Sequence, residues 1–472
     1  MTIVSNISQL LLDLISAVYA FLWGDLFTLT LPGGGTMGIS LLVLILIPAG
    51  IFFTIRTRFV LIRLFPEMVR LSVEKKDGSQ KDALSGLQAL IVSTATRVGM
   101  GNMVGVVAAV SAGGAGAVFW MWITAIIGSS TAFVEATLAQ LHKEEDPIYG
   151  GYRGGPAYYI QNFFSKNGGK SIIAVLFALS GLLCWCGVSQ VIGNSVSSAF
   201  EGAFGIQPIW STVVLVALAA AIVLRKKATV KVLDIMVPVM AVFYFAITIF
   251  IIVTNLNLLP GVFKQIISEA FGLRQMVAGG FGAALMNGVK RGLFSNEAGS
   301  GSAPCAAAAA NVSHPAKAGL LQAFGVFIDT IVLCTCTAMI MLLAPQAQME
   351  GLQGMALLQA AMGHHFGNVG VIFIAVTLWL FSFSTFIGIL YYARGNVAFL
   401  FGDGERSQFI FKILALIMLF IGGLAAYTFV WDLGDIGIGL MTVFNMIVLL
   451  PMSNQAIRCL KDYLAKKKEN NG

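Results

Sequence analysis

The sequence predicts an all-α integral membrane protein of about eleven transmembrane helices, in which one extra N-terminal helix precedes an inverted repeat of five plus five. Three observations carry this. Of the 472 residues, 57% are hydrophobic and only 11% are charged, against about 25% charged in an ordinary soluble domain. The apolar residues fall in blocks of roughly 20, the length that crosses a bilayer core, and the alternating pattern of an outer-membrane barrel is absent. Sliding the chain on itself by 194 residues superposes Arg97 on Arg291, Asn102 on Asn296, Gly105 on Gly299, Phe133 on Phe327 and Glu135 on Asp329.

Taken in chain order, the first element is a helix over 8–29. It lacks a positive leader and carries Asp13 and Asp25, so it makes a poor signal peptide. We read it as a helix lying in the interface, anchored by Tyr19 and Trp23. Hydropathy and breaker residues then place spans at about 38–62, 87–111, 116–142, 171–198, 208–225, 230–256, 275–308, 316–344, 367–393, 408–427 and 434–453. Amphipathic pieces at 155–165, 260–273 and 352–365 are placed along the surface between spans. Residues 1–86 thus form an N-terminal section with the extra helix and a loop. Residues 87–256 and 275–453 form the two five-helix repeats, and 454–472 form a basic tail. Five spans separate the starts of the two repeats, and an odd number inverts the second; chance similarity is the alternative.

The net charge of +7 would suit nucleic acid only if the cations shared a face. Instead, 24 of the 29 Lys and Arg lie in loops or at span ends on one side of the membrane. Only Lys264 and Arg274 lie on the other, and three lie within spans. This imbalance follows the positive-inside rule. It puts the chain in the plasma (inner) membrane with its N-terminus outside and C-terminus cytoplasmic, and makes the lipid bilayer rather than nucleic acid its partner. Cys184/Cys186 and Cys334/Cys336 sit two apart in apolar segments, so each pair points to different helix faces and makes no metal clip. His142, His314, His364 and His365 all fall at segment ends or loops, without metal-ligand spacing.

Two spans carry interruptions. In Ser93-Thr-Ala-Thr-Arg-Val-Gly-Met-Gly-Asn-Met-Val-Gly105, three glycines surround Asn102 at mid-span. Each glycine costs about 1 kcal/mol relative to alanine in a helix, but lets the backbone unwind and approach a ligand. Tight packing through small residues is the alternative. The repeat partner, Lys290-Arg-Gly-Leu-Phe-Ser-Asn-Glu-Ala-Gly-Ser-Gly-Ser-Ala-Pro304, sets Glu297 among Gly292, Gly299 and Gly301. Paired interruptions in inverted halves point to the central site of a transporter, because bare backbone groups at bilayer depth need a cavity and a ligand.

Arg97, Lys290 and Arg291 stand within spans and match Glu135, Glu297 and Asp329 in number. An unpaired charge at the bilayer centre costs roughly 3 kcal/mol. Ion pairs bracing the interruptions are therefore expected, with Glu135 and Asp329 beside them; proton carriage by one acid is the alternative. Ser384 and Thr385 are adjacent hydroxyls in Phe381-Ser-Phe-Ser-Thr-Phe-Ile-Gly388. They either bond back to their own helix carbonyls or, with carbonyls near Ala95 and Val98, offer a desolvated sodium ion its hard oxygens. Gln190, mid-span after Trp185, is a further polar wall.

At these residues the chain resembles the sodium:alanine (alanine/glycine:cation) symporter family. The motifs are TATRVGMGNMVGV (94–106), GGAGAVFWMWITA (113–125), GLFSNEAGSGSAPCAAAAA (292–310) and GVFIDT (325–330), and the resemblance covers roughly 35–460. More distantly, Val98-Gly-Met-Gly-Asn102 and Phe294-Ser295 resemble the unwound first and sixth core helices of LeuT-type transporters. The resemblance implies a five-plus-five inverted-repeat fold and sodium-driven uptake of alanine or glycine, with Na+ as coupling ion and no organic cofactor. It implies one sodium among the Ala95 and Val98 carbonyls, Ser384 and Thr385, and a second at Asn102 and Ser295. It also implies a substrate carboxylate on the backbone N–H groups of Gly99, Met100 and Gly101, with Phe294 closing over the substrate and Gln190 near it. Ile389 departs from the family pattern, which places Trp there; a smaller wall would admit a longer side chain such as glutamine. An intramembrane enzyme would need a base or metal near a nucleophile, and a channel would need repeated pore-lining rings. Neither pattern is present. Proton coupling through Glu297 or Glu135 remains the alternative within the transporter class.

Overall fold

Punctuation residues set the helix ends. Pro66, Pro156, Pro208, Pro260, Pro304 and Pro315 each stand in a first helical turn, where the missing N–H costs nothing. Gly205, in left-handed conformation, ends one of the longest helices. The computed structural model describes residues 2–30, 36–74, 88, 90–91, 97–165, 168–224, 229–272 and 280–471. Ala95, Arg274 and the boundaries at 86/87 and 275 lie outside the described residues.

The order is α1 (Thr2–Trp23), a hairpin of β1 (Phe27–Thr30) and β2 (Thr36–Ile39), α2 (Leu41–Arg56), α3 (Val60–Arg63) and α4 (Phe65–Ser72). A wide turn at Arg97–Gly105 leads into α5 (Val106–Gly113), then α6 (Gly116–Leu141) and a second small hairpin of β3 (Glu144–Glu145) and β4 (Tyr152–Arg153). Next come α7 (Pro156–Phe164), α8 (Ile172–Phe204), α9 (Pro208–Val223), α10 (Thr229–Thr254), α11 (Leu259–Ala270), α12 (Gly280–Asn296) and α13 (Ala303–Ala308). The chain finishes with α14 (Pro315–Leu342), α15 (Met355–Phe366), α16 (Asn368–Phe401), α17 (Glu405–Leu424) and α18 (Tyr427–Asn471).

Among the described residues, six helices are long and apolar enough to cross a membrane, or seven if α10 and α11, bent by 106°, count as one span. The count falls short of eleven because most of the stretch before the first interruption lies outside the described residues, the helix at the second is cut after Asn296, and α2 and α9 are apolar but only 16 residues each. The N-terminal helix also ends sooner than expected, at Trp23, and residues 27–30 are strand. Its end is not merely interfacial: Leu22 and Trp23 are buried, and the Trp23 indole donates to the Asp435 carbonyl at 3.0 Å.

The long α8 packs against α16, α17 and α18, while α6 packs against α12 and α14. At 45 residues, α18 is about 68 Å long, more than twice the ~30 Å hydrocarbon core, so its basic end runs out of the membrane. There Tyr463 and Lys467 bond Glu67 of α4, and Arg70 adds two hydrogen bonds at 3.0 and 2.7 Å. Burial pushes the Glu67 carboxyl up, but the donors from Arg70, Lys467 and Tyr463 outweigh it and hold it at about 2.

Candidate functional site

The first interruption is short. Val98 (φ −76°, ψ 72°) and Gly99 (φ −154°, ψ −144°) leave helical geometry, and the helix resumes behind them. Side chains take over the backbone bonding: the Gly99 amide donates to Asn102 Oδ1 at 2.9 Å and the Met100 amide to Thr385 Oγ1 at 3.1 Å. The approach of α16 is so close that a Cβ on Gly99 would fall 1.9 Å from Thr385 Oγ1. The Ser384 and Thr385 hydroxyls both donate to the Phe381 carbonyl, at 2.8 and 2.9 Å. This is the back-bonding alternative weighed from the sequence. It still gathers hydroxyl and carbonyl oxygens from α16 against the turned Val98 peptide.

The second interruption is longer. After Asn296 the backbone turns left-handed at Glu297 (φ 57°), Gly299 (φ 95°) and Gly301 (φ 84°), and α13 then restarts around Pro304. A side chain at Gly299 would be strained by its φ and would also meet Met446 at 2.5 Å. The Glu135 carboxylate accepts from the Gly299 amide at 3.2 Å and from the Asn445 amide at 3.0 Å. Asn445 donates back to the Gly299 carbonyl at 2.9 Å and accepts from the Tyr159 hydroxyl.

Asp329 ties the two interruptions together. Its carboxylate accepts from Asn102 Nδ2 at 2.6 Å, from Ser295 Oγ at 3.1 Å and from Thr330 Oγ1 at 2.6 Å, and all four residues are buried. It stands where α14 widens into a π-type turn over Phe327–Cys334, a distortion that recurs at functional positions. Thr337 secures the far side, donating to the Asn102 carbonyl at 2.6 Å. Ser295 therefore faces both the Asp329 carboxylate and the Cys334 sulfur, the latter at 3.1 Å.

The intramembrane charges pair differently from expectation. Glu135 and Asp329 do stand beside the interruptions, but among the described residues they hold them by accepting from N–H and O–H groups rather than by ion pairs. Arg97 is fully buried and donates through Nη1 to the Gln322 carbonyl (3.2 Å) and Oε1 (3.1 Å). Among the described residues it has no carboxylate within 4.0 Å. Lys290 and Arg291 share Asp435, Lys290 at 2.7 Å and Arg291 through two bonds of 3.0 Å. The Arg291 guanidinium also lies 3.9 Å from the Trp431 ring centre. Asp435 was absent from the charge matching because it sits at the very start of the last predicted span.

Between the two interruptions lies a hollow lined by Met100, Gly101, Phe294, Glu297, Thr385 and Ile389, with Trp185 and Val188 from α8. It holds about 20 Å³, room for about one water molecule, so the side chains stand closed. Phe294 forms one wall and packs on Trp431, ring centres 5.0 Å apart. Gln190 is not part of the lining: its amide reaches the Met418 sulfur at 3.4 Å, and its backbone packs under Gly422 of α17. The sequence reading passed over Asn445, Asp435, Gln322 and Thr337. A lone asparagine in the apolar run TVFNMIVLL was a usable signal for the first; the others carried none.

Comparison with known proteins fits this geometry. Residues 31–472 match the model of the sodium:alanine symporter family. The chain is 43% identical to the "Probable sodium/glutamine symporter GlnT" of Bacillus subtilis, covering 91% of this chain and 89% of that protein. It is 34% identical to the sodium/alanine symporter AgcS of Methanococcus maripaludis, covering 94% and 95%. In fold, it is similar to the crystal structure of MhsT in complex with L-phenylalanine, with a TM-score of 0.56 at 13% identity over 79% of this chain and 89% of that one. The chain belongs to the sodium:alanine symporter family, a multi-pass membrane carrier that moves an amino acid with a cation on a LeuT-type core and is not an enzyme.

Proposed function

We propose that the protein imports a small neutral amino acid, alanine or glycine, together with sodium, by alternating access in the plasma membrane. Its N-terminus is outside, its C-terminus is cytoplasmic, and eleven spans form one extra helix and two inverted repeats, 87–256 and 275–453. One observation carries this reading: both interrupted helices border one buried hollow and are fastened to each other through Asp329, and the first is fastened to α16 through Thr385.

The proposed chemistry follows from who holds which proton. The Thr385 oxygen accepts the Met100 N–H while its own proton goes to the Phe381 carbonyl. A substrate carboxylate arriving at Met100 and Gly101 takes over that N–H. The Thr385 oxygen, released, then faces sodium together with Ser384, the Val98 carbonyl and, from outside the described residues, the Ala95 carbonyl. The Phe381 carbonyl, missed in the sequence, joins this set. Sodium and substrate thus complete one another's shells. A second sodium would have to compete with the hydrogen bonds that already join Asn102, Ser295 and Asp329. Phe294 and Ile389 wall the substrate side chain, and Glu135, Asp329, Arg97, Lys290, Arg291 and Glu297 brace the frame. A tenfold sodium gradient supplies about 1.4 kcal/mol and 100 mV about 2.3 kcal/mol per charge. Together these support a substrate gradient of several hundredfold per sodium.

Glutamine is the second reading, because Ile389 lines the hollow and a relative at 43% identity is named for glutamine. Uptake of labelled alanine, glycine and glutamine into proteoliposomes, with sodium, potassium or proton gradients, tests both. Saturable uptake that requires external sodium is expected. Equal uptake in potassium removes sodium coupling, and preferential glutamine uptake selects the second reading.

A further inference from the structure

We propose that the protein holds an anionic phospholipid of the cytoplasmic leaflet in a hollow between the start of α17, the end of α9 and the hairpin loop that follows α6. The hollow measures about 450 Å³, far larger than the one between the interruptions, and is lined mainly by apolar side chains including Ile148, Leu224, Phe409 and Ile410. Arg406 and Lys412 stand in the same lining, with Glu405 as the one acidic residue among its described members. Neither cation has a carboxylate within 4.0 Å among the described residues. Basic pockets of this kind at the cytoplasmic ends of helices suit phospholipid headgroups.

Three features favour a lipid over a soluble anion. Phe409 and Ile410 are 53% and 66% exposed, which is costly in water and natural against acyl chains. From Ile410 the exposed stripe continues along α17 through Leu414, Ile417, Ile421 and Leu424, at spacings of four, three, four and three that keep it on one helix face. That track is about 21 Å long, enough to line one leaflet of a core ~30 Å thick. The polar end is also built rather than loose. Asp146 accepts from the Ile148 and Tyr149 amides at 3.0 and 3.1 Å and pairs with Arg394 at 3.1 Å. The Arg394 guanidinium in turn lies 4.8 Å from the Tyr149 ring centre, and Gln408 donates to the Arg394 carbonyl at 2.9 Å.

The full chain, reconstituted in phosphatidylcholine vesicles with a minor share of phosphatidylglycerol and then extracted, is assayed for retained lipid by native mass spectrometry. Phosphatidylglycerol should be retained over phosphatidylcholine. Each near-surface cation contributes about fivefold, so Arg406→Gln alone should lower retention about fivefold and Arg406→Gln/Lys412→Gln about 30-fold. The single variant, at an exposed side chain, guards against misfolding of the double one. Arg458→Gln/Lys461→Gln, on the tail, should retain lipid as wild type does. The proposal is overturned if wild type shows no preference for phosphatidylglycerol, if the tail variant loses as much as the double variant, or if inorganic phosphate displaces the lipid. Retained-lipid counts do not depend on transport, so this test stands apart from the uptake assay.

Discussion

The two interruptions occupy corresponding places in the chain and differ in how they are held. The first involves two residues, and its backbone amides are met directly by neutral partners, the Thr385 hydroxyl and the Asn102 side chain, with the Asp329 carboxylate one step behind Asn102. The second runs through left-handed backbone at Glu297, Gly299 and Gly301 and is gripped by the Glu135 carboxylate with Asn445. A neutral hydrogen bond contributes about 0.5–1.5 kcal/mol net, and one to a charged group about twice that. Under the proposed function, the first interruption is the one a ligand reopens, and the second is the wall against which it works. Sequence symmetry placed both; bonding chemistry gave them different tasks.

The largest expected effect is at the first interruption. Gly99→Ala puts a methyl 1.9 Å from Thr385 Oγ1, and a displacement of that order should cost about 100-fold or more in uptake. Gly101→Ala, whose Cβ would sit 3.2 Å from Ser295 Cα, should cost less. Normal sodium-driven uptake in Gly99→Ala would break the contrast between the two interruptions. Removing the acids comes next. Asp329→Ala removes the carboxylate shared by Asn102, Ser295 and Thr330; Asn102 keeps the backbone carbonyl of residue 329 at 3.0 Å and Ser295 the Cys334 sulfur at 3.1 Å, but the buried Thr330 hydroxyl loses its acceptor, at about 1–3 kcal/mol. It should lower the thermal unfolding midpoint more than Glu135→Gln does, since Asn445 still holds the Gly299 carbonyl. Equal midpoints would mean that the two acids are interchangeable braces.

A subtler variant sharpens the assignment of roles. Thr385→Ala should raise the sodium concentration for half-maximal uptake about tenfold, the equivalent of one hydrogen bond to a charged species. Asn102→Ala should shift it too, whereas Asn445→Ala should lower stability and leave sodium dependence alone. The smallest effect on either interruption is at the cytoplasmic tail. The Glu67 carboxyl is depressed to about 2, so its contribution to docking α18 is complete above the ordinary carboxylate pKa and is lost as pH falls from there through about 2. Hydrogen exchange along 456–471 should rise over that window while sodium dependence at neutral pH is untouched.

Much of this was legible in the sequence because membranes tolerate few exceptions. Glycines around Asn102 and Glu297 in apolar runs announced the interruptions, and Glu135 and Asp329 announced that something polar met them. Their partners were less visible. Backbone amides such as that of Gly299 leave no trace in composition, and the Phe381 carbonyl is hidden behind an apolar name. Asp435 was overlooked because an acid near a span's end reads as interfacial. Gln190 misled for the opposite reason: its position along α8 is mid-span, but its face turns toward Met418. The proposed count of eleven spans rests on hydropathy, which runs across the cut after Asn296 and includes α2 and α9 despite their 16 residues.

Glu135 follows the first interruption in the chain and holds the second; Asp329 follows the second and reaches back to the first through Asn102, while also accepting from Ser295 beside its own. This crosswise wiring means that neither half can change its set of acceptors alone. A substitution at Glu135 has to be answered at Gly299 or Asn445, and one at Asp329 has to be answered at Asn102. The two halves are thereby bound to drift together, and a chimera joining the first half of one relative to the second half of another should work only where both acids find their distant correspondents.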